Sequence, residues 1–278
     1  MMQHRPDRQP GRSLAVLALV CLAALAGRVG PARALGDLDA RYSVATTGIA
    51  IGEADLSLRS RAEELAVRFR FENGSLLGLV EPSLTELRSV LVYRGRQPTP
   101  RRYAGLFRKE DRDREVTVGY GDAGEVDAFR FAKRGRVRIE AVPAGLPPGT
   151  ADPLATLVRV HVWLDRAMEG DVLELPVFDG RKLYQASLRY HGPVQMTQGG
   201  ESLAAHLVRV RYRQVAQLDE DKGTLEPETD GERNLDAMMS ADGRYLPLRV
   251  SGSFDGLPLT AELTADCRTE AGCPAAGE

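Results

Sequence analysis

Three histidines past residue 34 could do general acid–base work, at positions 161, 191 and 206. Nucleophilic catalysis would need one of them beside a serine or cysteine and an orienting carboxylate. No spacing in the chain assembles that set. Asn73-Gly74-Ser75-Leu76-Leu77-Gly78 is not a G-x-S-x-G elbow, and its serine reads as a turn residue. His161 falls on an apolar helical stripe, where a packed and hydrogen-bonded imidazole is the expectation. There is neither an H-E-x-x-H motif nor a phosphate-cradling glycine loop. Asp219-Glu220-Asp221-Lys222-Gly223 begins like a calcium loop but lacks its third acidic position and the distal glutamate. Neither a metal nor a cofactor is expected.

Two features could bind rather than catalyse. Arg94, Arg96, Arg101, Arg102, Arg108 and Lys109 make a basic stretch around Pro98 and Pro100. It reads either as a charged edge guarding against strand addition or as a patch for anionic lipid head groups, with Arg101 and Arg102 as the candidate ligands. Trp163, the single tryptophan, is either a packing residue or a ligand platform.

The elements that would carry these residues follow an export signal. Arg5, Arg8 and Arg12 precede an apolar run from Leu14 to Ala26, and Ala32-Arg33-Ala34 has the A-x-A form, so cleavage is expected after Ala34. The run is shorter than the ~20 residues that span a bilayer. No other stretch is long and apolar enough to cross. Cys21 lies inside the run behind a bulky Val20, which argues against lipidation. The whole chain has 37 Lys and Arg against 39 Asp and Glu; the leader holds five arginines and one aspartate, leaving 32 against 38, or −6. That acidic balance argues against nucleic acid as a partner. Cys267 and Cys273 are then the remaining cysteines, and an oxidising compartment favours pairing them into a small local disulfide in a 267–278 tail.

Between leader and tail, 35–266 reads as one mainly-β domain. Tyr42 to Leu58 alternates apolar residues every second place, interrupted at Gly48 and Gly52, and is expected to form an edge hairpin onto which later strands add. Leu65 to Phe71, Glu115 to Tyr120 and Leu203 to Val215 alternate similarly, and Asp-Gly turns fall at 179–180, 242–243 and 255–256. Leu76 to Val80 is a further short apolar segment. Asp152-Pro153 opens the one helix, Pro153 to Ala167, with Leu154, Leu157, Val158, His161 and Leu164 on one face. The acidic stretch 217–233 reads as an exposed or mobile loop.

The order of these motifs resembles the domain of unknown function 3108 family of exported bacterial proteins. The Tyr42-Val44-Gly48-Ile49-Ile51-Gly52 opening, Asp152-Pro153-Leu154, Phe178-Asp179-Gly180-Arg181 and the Ser240 to Val250 ending carry the resemblance. It implies a periplasmic all-β protein whose antiparallel sheet curves strongly, as a spiral or open barrel, around the helix, with no catalytic set to transfer. Family members often place Trp before the terminal Ser-x-Asp; here Met238 and Met239 precede it. The leading expectation is a non-enzymatic periplasmic protein that supports envelope integrity by holding a lipid or other amphiphile in the concave sheet. A scaffold for an envelope protein partner is the alternative, and an envelope hydrolase with a spatially assembled site a third reading.

Overall fold

The structure, a computed structural model, describes residues 37–73, 82–94, 97–109, 113–254 and 256–266. The expectations for the leader, for Leu76 to Val80 and for the Cys267–Cys273 pair lie outside these residues.

Eight strands come first: β1 (Leu38–Thr46), β2 (Ile49–Arg61), β3 (Glu64–Asn73), β4 (Ser83–Arg94), β5 (Gln97–Lys109), β6 (Arg114–Tyr120), β7 (Val126–Lys133) and β8 (Arg136–Ile139). Helix α1 (Pro153–Leu164) follows. The remaining strands are β9 (Val172–Phe178), β10 (Lys182–Gln198), β11 (Glu201–Asp219), β12 (Thr224–Pro227), β13 (Arg233–Ser240), β14 (Pro247–Phe254) and β15 (Leu257–Asp266). All of them join one antiparallel sheet in the order β8-β7-β6-β5-β4-β3-β2-β1-β15-β14-β13-β11-β10-β9, with β12 added to β11. The mainly-β, curved and unclosed sheet, with one helix among the described residues, agrees with the sequence.

The β1–β2 hairpin corrects one expectation. It is the middle of the sheet, not an edge, because β1 pairs with β15 on its other side, Val44 opposite Ala261. The edges are β8 and β9. Period-two alternation marks an inward face but says nothing about a partner some two hundred residues away. The glycines do what their positions suggested. Gly48 takes a φ of 80° beside Thr47 at 49°, a tight turn of the primed kind. At Gly52, where the β1–β2 register slips, a Cβ would lie 2.4 Å from the Glu72 carbonyl oxygen.

β3 shows how the sheet holds its core. Leu65, Val67, Phe69 and Phe71 are buried while Glu64, Arg68, Arg70 and Glu72 face water. Each such inward side chain contributes about 1.5–3 kcal/mol on burial. The inner face closes on α1, which is apolar nearly all round and packs against β3, β4, β5 and β9. A helix buried on most sides belongs inside a core rather than on it. One continuous cluster of side chains fills the space between sheet and helix.

α1 ends at Leu164, one turn short of the sequence expectation, where the exposed Asp165 and Arg166 interrupt the apolar face. Its start is capped by Asp152, whose Oδ1 accepts from the Ala155 backbone N–H at 2.8 Å. Oδ2 accepts from Ser89 Oγ at 3.0 Å. Asp152 is fully buried, and that burial pushes its carboxyl up to about 6 against the opposing hydrogen bonds. A carboxyl raised this way binds its proton more tightly in the folded state, so it contributes stability at low pH that is lost as pH rises from about 4 to about 6. Asp152→Asn keeps an acceptor for Ala155 and removes the charge. It is expected to match or exceed the wild type at pH 7, by up to about 3 kcal/mol, in denaturant unfolding followed by circular dichroism. A loss at pH 7 would mean that the ionised cap is favourable despite its burial.

The 217–233 segment is also corrected. Gln217 to Asp219 finish β11, and Thr224–Pro227 return as β12, with Leu225 N–H donating to the Ala144 carbonyl on the far side. The exposed connections are the β11–β12 turn around Asp221 and Lys222 and the part from Glu228 to Glu232. No helix among the described residues is long and apolar enough to cross a membrane.

Candidate functional site

The Phe178-Asp179-Gly180-Arg181 motif forms the turn between β9 and β10. Asp179 Oδ1 accepts from the backbone N–H groups of Arg181 and Lys182 at 2.8 and 2.6 Å, a side chain standing in for a turn carbonyl. The carboxyl is 3% exposed. Burial pushes it above the usual carboxylate range, against these two hydrogen bonds and the charge of Arg114. Gly180 has φ 91°, and a Cβ there would lie 2.2 Å from Val116 Cγ2. The turn is therefore pressed directly on β6. Beside it the rings of Phe178 and Phe129 meet at 5.8 Å, so β9 closes against β7 through side chains and not through a backbone ladder.

Arg114, at the start of β6, forms the facing wall of this seam. Its guanidinium carbon lies 5.4 Å from the centre of the Phe107 ring, within cation–π range. Burial, and then the neighbouring charge of Arg181, lower its pKa. Among the described residues no carboxylate comes within ion-pair distance of it. Arg181 is 4.0 Å from Glu220, but that carboxylate is held more closely by Lys133 at 2.7 Å. Between the two arginines is a narrow pocket of about 10 Å³, lined by Phe107, Glu115, Val116, Phe131, Asp179 and Gly180. Two guanidinium forks over aromatic walls suit a phosphate or carboxylate group.

The residues singled out from sequence are elsewhere. Arg101 and Arg94 both donate to Asp122 Oδ1, at 2.6 and 2.5 Å, and hold that carboxyl below its ordinary value. Arg101 is the extra residue where the β4–β5 register slips. Arg102 is exposed on β5, and Arg108 is 3.7 Å from Asp113. β5 lies between β4 and β6, so the basic stretch guards no edge. Its arginines mostly pair with surface acids. Trp163 is half-buried on the last turn of α1 and packs on the core. No hydrogen bond, ion pair or ring contact joins Trp163, Arg101 and Arg102 among the described residues.

The histidines are less scattered than their spacing suggested. Tyr245, in the loop after β13 with φ 44°, has its ring 5.9 Å from His161 and 5.3 Å from His206. The Tyr190 hydroxyl and His206 Nδ1 are 2.6 Å apart. No serine hydroxyl or carboxylate bonds to either ring among the described residues, so this is an aromatic cluster and not a catalytic set. Asp219 accepts the backbone N–H groups of Asp221 and Lys222 at 3.0 Å each, which makes the would-be calcium segment a hairpin turn. Arg114 escaped the sequence reading because an arginine next to an alternating strand looks like any solvated residue. The Phe-Asp-Gly-Arg turn was the available signal for Arg181.

A crystal structure of a β-barrel-like protein of domain of unknown function DUF1849 from Brucella abortus is similar, with TM-score 0.51 and 8% identity over 83% of this chain and 96% of that one. The likeness is one of fold. Comparison with curated proteins finds no match. Residues 41–264 match the family model described as protein of unknown function (DUF3108), and with most of its length inside that match the chain belongs to this family.

Proposed function

We propose that this chain is a non-enzymatic periplasmic protein that supports the cell envelope by binding an anionic amphiphile, with Arg114 and Arg181 on the head group. The observation that carries the reading is Arg114, drawn into the seam, stacked on Phe107 and without a carboxylate partner among the described residues. Asp179 and Glu220 offset the burial of Arg114 only in part and from beyond ion-pair distance, and a bound anion would supply a direct partner. The site is the seam and not the concavity, since α1 and the core occupy the sheet's inner face. At about 10 Å³ the pocket has room for about one water, far less than the roughly 300–1,000 Å³ of sites that enclose whole ligands. A single anionic oxygen of a head group could enter between the guanidinium groups, with the rest of the amphiphile outside. A protein-scaffold role through 217–233 has less support, because β12 ties that segment to β11 and Ala144.

Calorimetric titration of the mature chain with dodecyl phosphate below its micelle concentration tests this, with inorganic phosphate as a second arm. Arg114→Gln is expected to weaken dodecyl phosphate binding about ten- to a hundredfold, the loss of one charge-assisted contact. Unchanged affinity in that variant would remove the reading. Equal affinity for inorganic phosphate would make the site one for anions and not amphiphiles.

A further inference from the structure

The outward face of β11 carries an arginine at every second place, Arg209, Arg211 and Arg213, while Val208, Val210 and Tyr212 between them turn to the core. The strand period sets the three on one side, about 7 Å apart along the strand. The register widens the row. Arg189 on β10 is directly opposite Arg209, Ser187 opposite Arg211 and Gln185 opposite Arg213. On the other flank β13 places Asp236 opposite Arg209 and Asn234 opposite Arg211. All four arginines are exposed.

One of the four is satisfied. Arg209 donates through Nε and Nη2 to the two Asp236 oxygens, at 2.8 and 3.2 Å. Arg189, Arg211 and Arg213 have no ion pair among the described residues. Glu174, exposed on β9 opposite Ser187, is two strands from Arg211, about 10 Å across the sheet. Like charges directly opposite on paired strands oppose folding, and Arg189 stands so against Arg209. The row is concentrated in a chain whose net charge is −2. None of the side chains on these rungs of β10, β11 and β13 is aliphatic or aromatic. The nearest apolar one along the first rung is Val172 on β9, beyond Arg189.

We propose that this arginine ladder docks the protein on an anionic phospholipid surface, with Arg189, Arg211 and Arg213 taking head-group phosphates. Guanidinium forks suit phosphate oxygens, and anions set between neighbouring arginines would relieve their mutual repulsion. A protein partner is disfavoured because the rungs offer no aromatic or aliphatic anchor, the kind of side chain on which stable protein interfaces are centred. The face is also the convex side of the curled sheet, which can rest on a plane without a complementary hollow. A long polyanion such as nucleic acid would meet repulsion wherever it left the ladder for the rest of an acidic chain, whereas separate head groups would not. The ladder faces away from the core and does not depend on the Arg114 seam. Attachment of this kind is electrostatic and weakens as salt rises.

Co-sedimentation of the mature chain with vesicles of equimolar phosphatidylglycerol and phosphatidylcholine, and with vesicles of phosphatidylcholine alone, tests the proposal. The expected result is binding to the anionic vesicles at roughly 50 mM NaCl that falls roughly tenfold or more at roughly 500 mM, and none to the neutral vesicles. An Arg211→Gln, Arg213→Gln double variant removes two exposed cations without stranding an acid. Its partitioning should fall about twenty- to thirtyfold, about fivefold for each arginine. An Arg136→Gln, Arg138→Gln pair makes the same change in net charge at exposed positions on β8 and should bind nearly as the wild type. Wild-type protein left in the supernatant with anionic vesicles would overturn the proposal. So would equal binding to neutral vesicles, a ladder variant that binds like the wild type, or a loss in the β8 pair as large as in the ladder pair.

Discussion

Gly180→Ala is expected to destabilise the protein by about 2–5 kcal/mol, a large share of the total for a domain of this kind. Two separate effects add. A residue with a Cβ held at φ 91° is strained by roughly 1–2 kcal/mol. The new Cβ would also overlap Val116, whose Cγ2 lies 2.2 Å and whose Cβ and Cγ1 lie 2.8 Å from its position. Overpacking of that kind adds about 1–3 kcal/mol. Gly135 separates the two, since its φ is 69° and nothing lies within 4 Å of its Cβ position. Gly135→Ala should therefore show the backbone part alone. Urea unfolding of both variants reads the difference directly. Adding Val116→Ala to the Gly180 variant should return part of the loss, because Cγ1 and Cγ2 are then gone. If the two glycine variants lose the same amount, the β9–β10 turn does not press on β6. The seam that positions Arg114 against Arg181 would then lose its geometric basis.

That seam shows where sequence reading stops. Phe178-Asp179-Gly180-Arg181 was legible as a hairpin because Asp-Gly chemistry is local. Its docking on Val116 was not, because β6 and β9 lie far apart in the sheet order and meet only when the sheet curls. The same limit explains the β1–β2 hairpin. Tyr42, Val44, Leu56 and Leu58 announced a half-buried pair, but the pairing of β1 with β15 depends on where the chain's far end returns. The helix was legible to within one turn because Asp152, Pro153 and the apolar stripe are all near neighbours. Charge was read least well. Arg101 stood out for its company in sequence yet is paired to Asp122 across a loop. Arg114, in an ordinary-looking run, is buried in the seam with no carboxylate at ion-pair distance among the described residues. What a guanidinium faces is decided by tertiary placement, and no spacing rule reports it.

His161 sets the second large effect, on the acid side. The imidazole is 5% exposed, its Nδ1 has no hydrogen-bond partner among the described residues, and burial lowers its pKa to about 3. Its folded pKa is below the unfolded value of 6.5, so the unfolded chain takes up the proton first as pH falls. Stability is then complete above about pH 6.5 and declines by about 1.4 kcal/mol per pH unit towards pH 3. His206, which shares Tyr245 with it, is also lowered by burial and acts in the same direction. Asp152 acts in the opposite direction, its contribution falling as pH rises from about 4 to 6. In that window the slopes of Asp152 and His161 nearly cancel, and the wild type should lose little to this pair. Asp152→Asn removes one side and should leave a steeper fall towards acid, about 2–3 kcal/mol between pH 6 and 4 relative to the wild type. His161→Leu removes the other side. Relative to the wild type it should gain as pH falls, and below pH 4, where Asp152 is protonated in both states, its advantage should approach about 4–5 kcal/mol. The comparison needs unfolding free energies of the wild type, both single variants and the double variant at half-unit pH steps. Because Asp152 and His161 sit in opposite halves of α1 and share no partner among the described residues, their effects should add. If His161→Leu tracks the wild type at every pH, the imidazole takes up its proton as readily in the folded state as in the unfolded one, and the aromatic cluster around Tyr245 is open to water.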